Sequence, residues 1–256
     1  MATTTQPTAG EATKTLINYR VDGGVAVIEM FDPPANTYTY EMNRQLDEAI
    51  LKARMDNNVH VIVLTGSGDK FFSAGANIKM LASVDPTFKY YFCLHANETL
   101  LRLEHTPKLV IAALNGHCVG GGLEIAMVFT ARDAAWGFPE IRLGCYPPVA
   151  CTALASLVGQ KRSSELILTG RTFSGDEAVA IGLANQSAVA EDVPSLVENA
   201  LTNLRRLSPA ALSIAKKAIY AWDSMDYRIL LGPQVVMRLI RLVARQWQRE
   251  GRIESP

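Results

Sequence analysis

Two glutamates and two runs of small residues are the groups in this chain best placed to do chemistry. The first run is Phe71-Phe72-Ser73-Ala74-Gly75-Ala76-Asn77-Ile78-Lys79. Small side chains let a ligand approach the backbone, so that peptide N–H groups become donors to a developing negative charge. The same segment also reads as a tight turn packed under a helix. The second run is Asn115-Gly116-His117-Cys118-Val119-Gly120-Gly121-Gly122-Leu123-Glu124-Ile125-Ala126-Met127. Its three glycines lead into an apolar helix whose first-turn N–H groups lack intrahelical partners and suit an anion or oxyanion. Glu124 falls in that first turn, where it is either a reactive carboxylate or a complement to the helix dipole. A dinucleotide loop is the weaker alternative, because GxGxxG is absent from the stretch. In Gly137-Phe138-Pro139-Glu140-Ile141 an acidic residue stands among apolar and aromatic neighbours. Such surroundings raise a carboxyl pKa and suit it to proton transfer, although an ordinary loop glutamate fits the same letters.

These groups must be carried by a scaffold, and its elements are visible in the hydrophobic pattern. Val25 to Met30 and Val59 to Leu64 read as buried strands, as does Leu109 to Leu114. Asp32-Pro33-Pro34 breaks the first, and Thr39 caps a helix that places Met42, Leu46, Ile50 and Ala53 on one face. Gly66-Ser67-Gly68-Asp69 closes the second strand, and Asp85-Pro86 opens a helix running to about Glu104. Strand, helix, strand, helix, strand implies crossover units and a covered α/β sheet. After Pro148 the pattern is almost wholly helical. Ser174-Gly175-Asp176-Glu177 forms a capping box, and Ser208-Pro209 supplies a cap with a first-turn proline. A last helix, about Pro233 to Glu250, carries Val236, Leu239, Ile240, Val243 and Trp247 on one face. No internal repeat is visible. Residues 1–13 read as a disordered leader, 14–195 as the α/β core and 196–256 as a helical region of the same domain.

Composition excludes several classes. The 256 residues carry 25 Lys+Arg against 25 Asp+Glu, which argues against nucleic acid or anionic lipid as the main partner. No apolar run reaches the roughly 18 residues of a membrane span. The four cysteines, Cys93, Cys118, Cys145 and Cys151, form no CxxC pair and do not cluster with histidines, so neither a disulfide framework nor a zinc site is expected. A reducing cytoplasm is the expected compartment.

Taken in order, FSAGANIK, NGHCVGGGLEIA and PEIRLG resemble the enoyl-CoA hydratase/isomerase (crotonase) superfamily, over nearly the whole chain from about Tyr19 to about Trp222. The resemblance implies an α/β fold, a spiral of repeated ββα units with a helical C-terminal trimerisation region that builds trimers or hexamers. It implies an acyl-CoA thioester as substrate and no metal or redox cofactor. By motif position the backbone N–H groups of Ala76 and Gly121 would hold the thioester oxygen as an enolate forms. Ala74, Ala76, Asn77, Ile78, Lys79, Gly121, Tyr146 and Pro148 would contact the substrate. Glu124 would activate water for attack on the β-carbon, and Glu140 would deliver a proton to the α-carbon. Isomerases of the family usually keep only the second glutamate, so the pair favours a hydratase. Isomerisation, decarboxylation, C–C cleavage and an inactive acyl-CoA-binding homologue are the alternatives.

Four departures from the family pattern matter. Asn77 stands where the family usually has Asp. Glu124 and Glu140 are 16 residues apart, shorter than usual by roughly 4 residues, about one helical turn. In Leu143-Gly144-Cys145-Tyr146-Pro147-Pro148-Val149-Ala150 a Gly-rich run is replaced, and Pro148 has no N–H to give to a catalytic water. The stretch FPEIRLGCYPPVA is more similar to alicyclic diene-carbonyl-CoA hydratases, in which case Tyr146 would face a ring substrate; a packed loop residue is the other reading. Finally, Arg238, Arg241, Arg245, Arg249 and Arg252 make a helical stripe that either meets CoA phosphates or is a solvated face.

Overall fold

A computed structural model of the chain describes residues 14–119 and 127–221. Gly121, Glu124, the leader, the expected last helix and its arginine stripe lie outside the described residues.

The centre is built from the apolar runs. Strands β2 (Val25–Met30), β3 (Val61–Gly66), β5 (Leu109–Leu114), β7 (Met127–Ala131) and β10 (Gln186–Ala188) pair in parallel in that order. The β1 strand (Ile17–Asp22) closes one edge, antiparallel to β2. Ile28, Leu64, Ala112 and Val128 stand in one register row across the sheet, and all are buried. A parallel sheet covered on both faces needs apolar side chains in both directions, and the continuous Val/Ile/Leu runs supply them.

A smaller sheet stacks the strands β4 (Phe71–Ser73), β6 (His117–Val119), β8 (Trp136–Gly137) and β9 (Thr172–Phe173). Each turn of chain therefore gives one strand to each sheet: β3 then β4, β5 then β6, β7 then β8. This is the spiral of ββα units. The β3–β4 and β5–β6 corners are tightly packed, within a turn and between successive turns. A Cβ on Gly66 would lie 2.4 Å from the carbonyl oxygen of Phe72, and one on Gly116 would lie 2.4 Å from that of Lys70. Only glycine fits there.

Helices complete the turns. The α1 helix (Tyr40–Met55) starts at Thr39, whose hydroxyl accepts the Met42 amide, and buries Met42, Leu46, Ile50 and Ala53 as its spacing predicts. The short α2 (Ile78–Ser83) precedes α3 (Pro86–His105), capped by Asp85. The second half carries α4 (Pro148–Val158), α5 (Gln160–Thr169), α6 (Gly175–Ala180), α7 (Val193–Leu204) and α8 (Pro209–Ala221). It is not wholly helical: β9 and β10 return to pair with β8 and β7 and extend both sheets. At two and three residues they are too short to show a period. The α7 helix runs unbroken through residues 195 and 196, so core and tail join within it. None of the described helices is long and apolar enough to cross a membrane.

Candidate active site

The segment that follows β3 is held in shape by one asparagine. Asn36 is fully buried, with φ of +46°. Its Nδ2 donates to the carbonyls of Ser67 and Phe71, both at 2.9 Å, and its Oδ1 accepts from the Asp32 amide and the Ser67 hydroxyl. The Ser73 hydroxyl donates to the Asn36 carbonyl at 2.9 Å. Loop 31–39 is thereby tied to the β3–β4 corner. The next residues pair as a short parallel bridge: the Tyr38 amide donates to Gly75 O and the Asn77 amide to Tyr38 O, both at 2.9 Å. Ala74 donates to Ala35 O and Gly75, at φ +81°, to Ser73 Oγ. Along this stretch the Ala76 amide alone has no acceptor among the described residues. Asn77 then caps α2, its Oδ1 accepting from Met80 N at 3.0 Å. The asparagine in place of the family's aspartate thus has a structural role that either residue fills about equally well.

Glu140 sits on a 3-10 turn, Pro139–Leu143, that follows β8. Buried Trp136 and Phe138 anchor the approach, the Trp136 indole donating to Thr130 Oγ1 at 3.1 Å. Left-handed Gly144 ends the turn. Gly170, at the end of α5, lies so close beneath that a Cβ there would come within 2.7 Å of Ile141 Cγ2. The Glu140 side chain is half-buried, and its Oε2 is shut off from solvent without a hydrogen-bond partner among the described residues. Burial raises its pKa above the ordinary carboxylate value, against a smaller opposing effect from its own backbone N–H.

Ala76 and Glu140 line the same cavity, of about 150 Å³. One wall is α3, with Phe92, Cys93, Ala96, Asn97 and Leu100. The other is α4, with Pro148, Val149, Ala150, Ala153, Leu154 and Leu157. Tyr38, Phe138 and Pro147 complete it. Burial raises the Tyr38 phenol well above its ordinary pKa, with the nearby Cys118 adding to the shift, so it is a neutral hydrogen-bonding group at physiological pH. Pro148 is the first residue of α4, and its missing N–H falls where a helix leaves amides unpaired in any case. Val149 and Ala150 follow in that first turn and also line the cavity.

Not every expected contact residue is at this cavity. Tyr146 is 65% exposed and does not line it. Ala74, Asn77, Ile78 and Lys79 also lie off it, Ile78 and Lys79 being exposed on α2. Conversely, Tyr38 and Asn97 line it and were not singled out from sequence. Pro-Pro-Ala-Asn-Thr-Tyr marks a turn before the α1 cap, but nothing in it announces that the tyrosine lines the cavity. Cys93, Cys118, Cys145 and Cys151 are free thiols, and burial pushes that of Cys118 up to about 12.

A fold of stacked ββα turns, with a small-residue segment and a carboxyl lining the same apolar cavity, can be set beside known proteins. The family model for enoyl-CoA hydratase/isomerase matches residues 20–228. The chain belongs to the enoyl-CoA hydratase/isomerase family. It is 33% identical over 204 residues to the short-chain-enoyl-CoA hydratase of Clostridium acetobutylicum, covering 77% of this chain and 78% of that one. It is 35% identical over 220 residues to a probable enoyl-CoA hydratase of Bacillus subtilis, covering 82% and 84%. The solved structure of Pseudomonas aeruginosa DspI superposes with a TM-score of 0.87 at 27% identity, over 95% of this chain and 94% of that one. The family acts on acyl-CoA thioesters, and its members are hydratase-like or isomerase enzymes.

Proposed function

We propose that this chain is an acyl-CoA hydratase, adding water across a double bond conjugated to a CoA thioester. The observation that carries the reading is Glu140. Its carboxyl has a buried oxygen without a partner among the described residues and a raised pKa, and it lines one apolar cavity with Ala76, whose amide has no acceptor among those residues.

In the proposed reaction the oxygen of water bonds to the β-carbon and the π electrons move toward the thioester carbonyl, giving an enolate. The Ala76 N–H, with that of Gly121 assigned by motif, donates to the enolate oxygen. A fixed donor of this kind is worth about 2.7–4 kcal/mol, because it needs no reorganisation as charge develops. Glu124, assigned by motif, takes the proton that the water loses. Glu140 gives its proton to the α-carbon and collapses the enolate. Proton exchange between the carboxyls and solvent resets the pair. General acid catalysis of this sort contributes about 10²–10⁴-fold. The route calls on no metal or redox group. The reading carries with it a homotrimer or a dimer of trimers, which light scattering on the purified protein tests.

The decisive experiment is mass spectrometry of linear and cyclic enoyl- and dienoyl-CoA esters after incubation with the enzyme, looking for the gain of one water. Glu140→Gln should abolish that gain while the protein stays folded. Full activity in this variant refutes the assignment. Comparing Glu124→Ala with Glu140→Ala separates hydration from isomerisation, since an isomerase needs Glu140 far more than Glu124.

A further inference from the structure

Among the described residues, the α3 wall of the cavity carries an amide side chain that the proposed reaction does not use and that an alkyl chain cannot satisfy. Asn97 stands on the α3 wall, one turn from Cys93 and one turn from Leu100. Its amide makes no hydrogen bond among the described residues, although it offers two N–H donors and a carbonyl acceptor. The same cavity is lined mostly by apolar side chains, among them Phe92, Ala96, Leu100, Leu154 and Leu157. A plain alkyl group bound there strips water from the amide and returns nothing, which makes the residue a penalty against such substrates.

We infer that Asn97 selects acyl groups bearing a neutral oxygen function, a hydroxyl or a keto group, placed beyond the conjugated bond. This deepens, and rests on, the acyl-CoA reading above. The oxygen is neutral because no Lys, Arg or His is among the described residues that line the cavity, so a carboxylate on the acyl chain would enter without a counter-charge. An amide is the matching group for a hydroxyl or ketone, since it both donates and accepts. The placement follows from α3. Leu100 reaches the Tyr38 end of the cavity, because it and Tyr38 also share a small void beneath it. Tyr38 is bridged to Ala76, at the proposed enolate. Asn97 is three residues away along α3, a rise of roughly 4.5 Å, so the oxygen it meets lies past the reacting carbons.

The test uses saturated acyl-CoA esters, which bind without turnover. Calorimetric titrations of the full chain with hexanoyl-CoA, and with analogues carrying one hydroxyl at successive carbons beyond the β-carbon, measure the preference directly. For at least one analogue the wild-type protein should bind about tenfold tighter than it binds hexanoyl-CoA. Asn97→Leu should lose that preference and bind hexanoyl-CoA more tightly than wild type. Asn97→Ala should lose it as well, with circular dichroism and melting temperature recorded for both variants as a check on folding. Equal binding of all esters by the wild type overturns the inference, as does a preference that survives in a folded Asn97→Leu or Asn97→Ala. Binding without preference leaves the acyl-CoA reading standing. Failure to bind any acyl-CoA ester overturns that reading and the inference together.

Discussion

Tyr38 and Ala76 are paired across an isolated parallel bridge, and that pairing uses the Gly75 carbonyl and the Asn77 amide on either side of Ala76 while leaving the Ala76 N–H without an acceptor among the described residues. The bridge is not part of either sheet. It exists because buried Asn36 clamps loop 31–39 to the β3–β4 corner through the carbonyls of Ser67 and Phe71. The proposed oxyanion donor is thus positioned by a residue that need not touch substrate.

Asn36→Ala should therefore damage both stability and turnover. The substitution leaves two carbonyls, one amide and one hydroxyl without their partner, and places alanine at φ +46°. Stranded buried polar groups and the left-handed backbone together predict a loss of about 3 kcal/mol or more in urea unfolding. In the folded fraction kcat should fall further than KM rises, since a displaced Ala76 amide weakens the transition state more than the ground state. A variant with wild-type kcat would show that the clamp does not position the donor.

The spiral's corners predict a contrast among glycines. Gly66→Ala and Gly116→Ala would each drive a Cβ to 2.4 Å from a backbone oxygen, that of Phe72 on β4 and that of Lys70 just before it. Neither backbone can yield without separating the two sheets, so each should cost about 3 kcal/mol or more. Gly68 has φ of +81° but open space around it. Gly68→Ala should cost only about 1 kcal/mol, the strain of a left-handed alanine. Chemical denaturation of the three variants side by side checks the ordering.

Much of this scaffold can be read from residues alone. The strand from Leu109 to Leu114, the α1 face and the Asp85 cap follow from apolar spacing and capping chemistry. The repeat does not, because it lies in backbone geometry: β4, β6 and β8 have two or three residues each, and the corner glycines Gly66 and Gly116 of the first two turns have no counterpart between β7 and β8. The β1 strand alternates Ile17, Tyr19 and Val21 with Asn18, Arg20 and Asp22, the period of a half-buried edge strand, so it is legible by alternation and passed over only when continuous apolar runs are sought. The capping box at Ser174 is half formed. Ser174 accepts the Glu177 amide, but the Glu177 carboxylate turns to Arg171 instead. Within the site, Ala76 and Glu140 came from motif position. Asn97 is hard to read from sequence because α3 scatters apolar residues among polar ones on every face: Tyr90, Tyr91 and Leu94 are exposed while Phe92 and Leu103 are buried, so no stripe marks the cavity side.

Glu140 should leave a signature in stability as well as rate. A carboxyl whose pKa is raised on folding binds protons more tightly in the native state than in the unfolded chain. Stability from this group is then fully present below the unfolded pKa and is lost as the pH rises through the higher folded value. Glu140→Gln removes the ionisation. The variant should melt at a higher temperature than wild type at neutral pH, and the difference should shrink as the pH is lowered below the ordinary carboxylate range. Melting curves across that range decide it; a constant offset would mean that the carboxyl titrates normally.

Lys216 makes the opposite prediction at alkaline pH. Its side chain is 4% exposed, and its Nζ donates to the carbonyls of Leu103, near the end of α3, at 2.9 Å and Lys108 at 3.0 Å. An ammonium is well placed at a helix C-terminus, but burial lowers its pKa from 10.5 to about 8, with Glu104 opposing the shift and Arg54 adding to it. Between these two values the unfolded chain holds the proton that the native chain has released, so stability rises with pH across the window. Lys216→Met keeps the length of the side chain and has nothing to titrate. Urea unfolding of both proteins at stepped pH should show the wild type gaining on the variant from about 8 toward 10.5. If their difference stays flat across that window, Lys216 is charged in the fold as any surface lysine is, and the two carbonyls hold an ordinary ammonium.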